Sequence, residues 1–231
     1  MIAACVLTNG RLELLDKTIV SFEEKHRGGP VSTRIIWDDT GSGEHWDYLR
    51  LAYPHWRACR SVVGAEGFGG AMRSAWKWLN QNTVEPFVWW SEDDFVYEKV
   101  IHLDGMARVL ADHPHLAQLA LRRQAWNAAE TAAGGVVELA PESFTDRHEG
   151  EWSWLEHRLF WTTNPSLFRR DLLAGGWAED PVSEGRYTHR LLGEGLPWGV
   201  TSADVRFGYW GSRRSTPAVT HTGLERVGYG Y

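Results

Sequence analysis

In the first half of the chain, short apolar runs alternate with longer amphipathic stretches, and most of these runs end in polar, turn-forming residues. Ala3–Leu7 leads into Thr8-Asn9-Gly10-Arg11, Thr33–Trp37 into Asp38-Asp39-Thr40-Gly41-Ser42, and Pro86–Trp90 into Ser91-Glu92-Asp93-Asp94. Ala58–Val63 is a weaker run of the same kind. Between them, Leu12–Lys25 spaces Leu12, Leu15, Ile19 and Phe22 by threes and fours, which is one face of a helix. Glu44–Leu51 reads as a short helix. Phe68–Leu79, opened by Gly69-Gly70, sets Met72, Ala75, Trp76 and Leu79 on one side of another. Strands alternating with helices of this length predict an α/β domain, its mainly parallel twisted sheet flanked by helices. In such sheets ligands bind beyond the carboxyl ends of the strands, where strand order reverses. That edge is where the polar residues collect.

The second half is less regular. Ile101–His113 reads as a helix stopped by Pro114, Leu116–Leu121 and Arg158–Thr162 as strands, and Leu167–Ala174 as a helix stopped by Gly175-Gly176. Glu184–Leu192 is a further helix. Gln124–Glu151 is loop-rich, and Gly208–Tyr231, rich in Gly, Arg and Tyr, reads as a tail folded back over a site. At 231 residues and 43% hydrophobic, the chain supports a substantial core and excludes bulk disorder. No run approaches the roughly 20 apolar residues of a membrane span. Met1–Leu7 has no basic segment before it and reads as a buried strand, not a signal peptide. Two cysteines, Cys5 and Cys59, make neither a disulfide framework nor a cysteine zinc site, so a reduced, cytoplasmic setting is expected. A net charge of −6 argues against a nucleic-acid partner. Fourteen tryptophans fit either a core or stacking on carbohydrate or nucleobase.

Three groups could carry chemistry. Glu92-Asp93-Asp94 follows an apolar strand directly, and residues two apart in an extended segment project the same way, so Glu92 and Asp94 can converge. Carboxylates of this kind hold Mg²⁺ or Mn²⁺ together with substrate phosphate oxygens; the bland alternative is an acidic surface turn. Asp38-Asp39 are ordinary turn formers. Paired with the triplet, one acid cluster can serve a metal while the other accepts from a nucleobase N–H or a ribose hydroxyl. Gly67-Phe68-Gly69-Gly70 opens a helix carrying Arg73, where backbone can approach a phosphate. It lacks P-loop spacing, and no G-x-G-x-x-G follows the first strand, which argues against a nicotinamide site. Glu184 at a helix start suits the helix dipole, and His221 sits in the polar tail segment Val219-Thr220-His221-Thr222-Gly223.

Taken in order, these residues resemble the GT-A-fold glycosyltransferases, closest to the family 2 pattern. Leu7-Thr8-Asn9-Gly10-Arg11 with Leu15 and Ser21-Phe22 looks like that family's opening strand, Asn-Arg turn and first helix. Ile35-Ile36-Trp37-Asp38-Asp39-Thr40-Gly41-Ser42 is similar to its "valine-valine-Asp-Asp-Gly-Ser" segment, and Gly67 to Ala75 to its glycine-and-Arg helix. Trp90-Ser91-Glu92-Asp93-Asp94 stands where the family has its metal-binding DXD motif, with Glu for the first Asp. Thr163-Asn164-Pro165-Ser166 through Arg169-Arg170 and Gly175-Gly176-Trp177 look like its acceptor-side stretch.

The resemblance implies a metal-dependent transfer of a hexosyl group from a nucleotide-diphosphate sugar (a UDP- or GDP-sugar) to an acceptor hydroxyl on a glycan, protein or small molecule, with inversion. Residues 1–98 would bind the donor and 99–231 the acceptor. Thr8, Gly70 and Arg73 belong to the implied donor site. Asp38, with Asp39 and either Asn9 or Arg11 nearby, would hold the base, and Glu92 or Asp93 would reach the ribose. Asp94 and His221 would bind Mn²⁺ or Mg²⁺, and Arg213 and Arg214 would clamp the diphosphate. Glu184 would be the catalytic base, with Glu179 and Asp180 as substitutes because the family's second acid is missing after Glu184. A nucleotidyltransferase of similar fold, or a carbohydrate-binding protein without catalysis, are the competing readings.

Overall fold

The computed structural model describes residues 1–61, 64, 66–179 and 182–223. Its first part runs β1 (Ile2–Thr8), α1 (Leu12–Lys25), β2 (His26–Arg27), β3 (Val31–Asp38), α2 (Gly43–Ala52), β4 (Arg57–Arg60), α3 (Gly67–Asn82) and β5 (Phe87–Glu92). After it come β6 (Phe95–Tyr97), β7 (Ile101–His102), α4 (Leu103–Asp112), β8 (Leu116–Ala120), α5 (Ala128–Ala133), α6 (Val136–Leu139), β9 (Thr145–Glu149) and β10 (Trp152–His157). β11 (Ser166–Arg169), α7 (Ser183–Glu194), β12 (Arg206–Trp210) and β13 (Val219–His221) complete the described chain. No helix among the described residues is long and apolar enough to cross a membrane.

Nine strands form one sheet in the order β4-β3-β1-β5-β11-β8-β12-β10-β9. β11 and β10 run against the other seven, so the sheet is mainly parallel, as the alternation of strands and helices predicts. β1 is buried along its whole length. Successive side chains of a strand point to opposite faces, and β1 divides accordingly. Ile2, Ala4 and Val6 pack with Leu15, Ile19 and Phe22 of α1 and with α4. Cys5 and Leu7 pack with Met72, Ala75, Trp76 and Leu79 of α3 and with Tyr187 of α7. Both cysteines are buried and unpaired. Trp37, Trp56, Trp76, Trp89, Trp90, Trp154, Trp161 and Trp177 are buried too, so core packing accounts for most of the tryptophan excess. A carbohydrate-binding protein built on exposed indoles loses its main support.

The chain passes from β1 outward through β3 to β4, then returns to the other side of β1 as β5. Strand order therefore reverses at β1. The register aligns Thr8 with Asp38 and Leu7 with Glu92, which brings three polar strand ends to one edge at that reversal.

Three expectations are corrected. Leu167–Ala174 is not a helix: Ser166–Arg169 is a strand laid between β5 and β8, followed by a 3₁₀ turn over Arg170–Gly175. Ser166, Leu167 and Phe168 are buried, and periodicity cannot separate so short a buried run from a helix segment. Arg158–Thr162 is irregular; the strand lies one step earlier, at Trp152–His157, where it pairs with both β9 and β12. Gly208–Trp210 belongs to β12 inside the sheet rather than to a tail. Gly208 suits that interior place because a Cβ would stand 2.7 Å from Leu119 Cδ2. Val62 and Val63 of the expected third strand, and residues 224–231 of the expected tail, lie outside the described residues.

Candidate functional site

Asp93 and Asp94 form the tight turn that leaves β5, and both are buried. Asp93 accepts a hydrogen bond from the Thr8 hydroxyl at 2.7 Å on Oδ2 and another from Arg11 on Oδ1. Arg11 precedes the first turn of α1 and also places Nη1 2.8 Å from Asp94 Oδ2. One guanidinium thus spans two adjacent carboxylates. His221 of β13 sets Nε2 3.2 Å from the same Asp94 oxygen.

β13 reaches this place by pairing antiparallel with β6, just after the acidic turn. Thr222 fastens it there, donating its N–H at 2.7 Å and its hydroxyl at 3.0 Å to the Asp94 carbonyl. Gly223 then passes so close that a Cβ would collide with Asp94 Oδ2. Gln124 brackets His221, receiving its N–H and donating to its carbonyl, each at 2.8 Å. Trp126, largely exposed, packs edge-on against the imidazole at 4.2 Å between centroids.

Burial, the largest influence on Asp93, raises its pKa against the opposing pull of Arg11 and Thr8. Burial works the same way on Asp94, but His221 and then Arg11 outweigh it and the pKa falls. Burial opposes the charge on Arg11, and Asp93 with Asp94 overcomes that and raises its pKa. Bonding capacity is left over. Asp94 Oδ1, His221 Nδ1 and Arg11 Nε are buried without a hydrogen-bond partner among the described residues. No group of three or more His, Cys, Asp or Glu among the described residues could hold a metal ion by itself.

The β3 end makes a second cluster. Asp38 Oδ1 accepts from Thr40 N at 2.9 Å and lies 3.0 Å from His45 Nδ1, while Asp38 Oδ2 is buried and has no partner among the described residues. Asp39 accepts from Glu66 N at 3.0 Å, and burial lifts its pKa to about 6. Gly10 (φ 98°) closes the β1–α1 turn where a Cβ would press on Thr40, so the two turns sit together.

The structure thus brings Thr8, Arg11, Asp93, Asp94 and His221 into one cluster, and Asp38 and Asp39 into a neighbouring one on the same edge. Arg11 is bound to the carboxylates and so stands with them, not with Asp38. Asn9 is exposed beside it, and Glu92 is the half-buried last residue of β5. Gly70 packs against Glu66, whose carboxylate receives Ser61 and Ser74, and Arg73 donates to the Ala178 carbonyl at 3.3 Å. Glu184 opens α7 and accepts from Thr163 N at 2.6 Å. Thr163 stands three residues before Ser166, which pairs with Trp90, so Glu184 lies toward the same sheet edge. Arg213 is held by Asp146 at 3.1 Å and by the carbonyls of Pro141 and Phe144, and Arg214 is exposed. Glu179 is exposed, and Asp180 lies outside the described residues. Sequence reasoning does not find His45, Gln124, Trp126 or Gly223. Of these only Trp126, an indole in a polar, loop-rich segment, carries a visible signal.

No protein-family model matches the sequence, and no curated protein matches it. Solved structures do. One is S. aureus TarS, residues 1–349, in complex with UDP-GlcNAc: TM-score 0.62 and 14% identity, over 100% of this chain and 61% of that one. The fold is GT-A. A second structure with the GT-A fold is the mannosyltransferase PcManGT from Pyrobaculum calidifontis in complex with GDP-Man and Mn²⁺, at TM-score 0.56 and 14% identity, over 90% of this chain and 56% of that one. The chain therefore spans about three-fifths of the length of these two structures. At this identity the likeness establishes the GT-A fold.

Proposed function

We propose that the chain is a nucleotide-sugar-dependent glycosyltransferase. The observation that carries this reading is the convergence of Thr8, Arg11, Asp93, Asp94 and His221 at the strand-order reversal of a GT-A sheet, with bonding capacity left unfilled on Asp94 and His221. The complexes of TarS with UDP-GlcNAc and of PcManGT with GDP-Man and Mn²⁺ support it. In this reading residues 1–98 take the donor and 99–231 the acceptor. Asp38 accepts a nucleobase N–H on its unpartnered oxygen, and Glu92 rather than Asp93, whose two oxygens are held by Thr8 and Arg11, reaches the ribose.

A divalent ion fits the donor set. Asp94 Oδ1 and His221 are one hard oxygen and one imidazole, and Mg²⁺ or Mn²⁺ is commonly held by one or two carboxylates completed by substrate phosphate oxygens. Bound there, the ion would offset charge on the departing diphosphate. Glu184, oriented by Thr163 N–H, takes the proton of the acceptor hydroxyl. As that oxygen bonds to the anomeric carbon from the opposite face, the bond to the diphosphate breaks and its electron pair leaves with the nucleotide. The product is inverted. Arg213 can reach the diphosphate only by leaving Asp146, whereas Arg214 is exposed. Buried, unpaired Cys5 and Cys59 suit a reduced, cytoplasmic setting.

The test is a thermal-shift and transfer assay with UDP- and GDP-sugars, with and without Mn²⁺. One nucleotide should stabilise the protein only when the ion is present. Glu184→Gln should lower transfer by roughly 10²–10⁴-fold while donor binding persists. Near-normal turnover in that variant would remove Glu184 from the mechanism.

A further inference from the structure

The side chains in the acidic cluster differ in depth. Asp93 and Asp94 expose 1% and 5% of their surface, while Arg11 exposes 22%. Arg11 is therefore the most exposed side chain of the three. Its two ends are both engaged, with Asp93 Oδ1 and with Asp94 Oδ2, and Arg's planar fork suits such a two-carboxylate grip. Gly223 closes the Asp94 side, and its absent Cβ would fall near Arg11 Nη1 as well, at 3.1 Å. Two adjacent buried carboxylates share this one guanidinium. A dication arriving at Asp94 would meet a like charge within bonding distance of the same carboxylate.

We propose that Arg11 is the resident counter-cation of the Asp93–Asp94 pair and gates entry of the divalent ion. The ion at Asp94 Oδ1 binds weakly while Arg11 Nη1 holds Oδ2 of the same carboxylate, and tightens as the donor's diphosphate receives the released guanidinium. This rests on the reading of the cluster as a nucleotide-sugar site. Its consequence is a coupling that works in both directions. Nucleotide tightens the ion, the ion tightens nucleotide, and each alone binds weakly. The ion requirement of this chain is then set partly by how readily one arginine swings from carboxylate to phosphate, which is a positioning role.

Mn²⁺ binding, read from the loss of the free-ion EPR signal, tests this without any turnover. For the wild-type chain, UDP or GDP should tighten Mn²⁺ at least tenfold. Arg11→Gln should bind Mn²⁺ alone at least tenfold more tightly than wild type, yet bind nucleotide more weakly when Mn²⁺ is saturating. A merely structural arginine would weaken both. Arg11→Lys, which keeps the charge and loses the fork, should fall between the two and serves if Arg11→Gln does not fold. Mn²⁺ affinity unchanged or weaker in either folded variant overturns the proposal. So does low-micromolar Mn²⁺ binding by the wild type without nucleotide. Mn²⁺ and nucleotide binding independently of each other overturns the gate and leaves the proposed function standing. Binding of neither, even together, overturns both.

Discussion

Two clusters of this molecule are built from the same residue types and finish with opposite properties. Glu156 on β10 is buried and filled: His115 Nε2 and Trp154 Nε1 each lie 3.1 Å from Oε1, and Arg147 Nε donates to Oε2 at 3.1 Å. Burial pushes its pKa up, but His115, Trp154 and Arg147 together outweigh that and bring it to about 2. Asp94 is equally buried and also faces a histidine and an arginine, yet among the described residues Oδ1 and the far nitrogen of His221 find no partner. Buried polar groups in folded proteins are nearly always satisfied. A closed cluster such as that of Glu156 is a brace. One left open at the reversal of strand order keeps bonding capacity to spare.

The sharpest test of this contrast is to neutralise one acid from each cluster. Asp94→Asn should abolish ion-dependent nucleotide binding and most transfer while moving Tm little. Glu156→Gln should leave transfer intact and cost about 3 kcal/mol of stability, a fall of roughly 6–12 °C in Tm. Exchange of those two phenotypes would break the comparison.

Acid titration sharpens it next. Glu156 sits near 2 when folded against an ordinary 4.5, so its contribution is full above 4.5 and lost as pH falls toward 2. Burial holds the adjacent His157 near 3 against 6.5, so the native state refuses a proton that the unfolded chain accepts, and stability falls as pH drops from 6.5 to 3. Asp39, raised to about 6 from 3.8, has the opposite sign: it loses stability as pH rises from 3.8 to 6. Denaturant melts across pH 3–7 should therefore show His157→Phe flattening the acid limb, by at most about 1.4 kcal/mol per pH unit. Asp39→Asn should steepen the limb between pH 3.8 and 6.

Smaller effects follow at the edge of the open cluster. Gly223→Ala forces a methyl group onto Asp94 and should cost about 1–3 kcal/mol, read as weakened nucleotide binding. Trp126→Ala removes a largely exposed ring and should change stability by about 0.5 kcal/mol or less, measured by denaturant titration.

The sequence makes the first half of the fold legible because its signals are local. α1 shows its buried face as Leu15, Ile19 and Phe22, and β1, β3 and β5 end where the polar residues begin. β11 and β12 are set by non-local pairing instead. Ser166–Arg169 is a strand only because β5 and β8 flank it, and Gly208 looks like a loop residue until Leu119 explains the missing Cβ. The site divides in the same way. Asp93 and Asp94 stand out as acids after an apolar strand. That Arg11 would bind them, and not the Asp38 turn, depends on the direction its side chain takes at the start of α1. Nothing local marks Gln124 as the bracket for His221, because the two lie 97 positions apart.

That separation bears on how the protein is made. A ribosome working from the first residue will have released β1, Arg11 and the paired aspartates long before it adds His221, and β12, the last strand of the large sheet, also precedes that residue. Nascent chains can therefore complete the scaffold while the imidazole is still to come, so competence for ligand waits on that one residue.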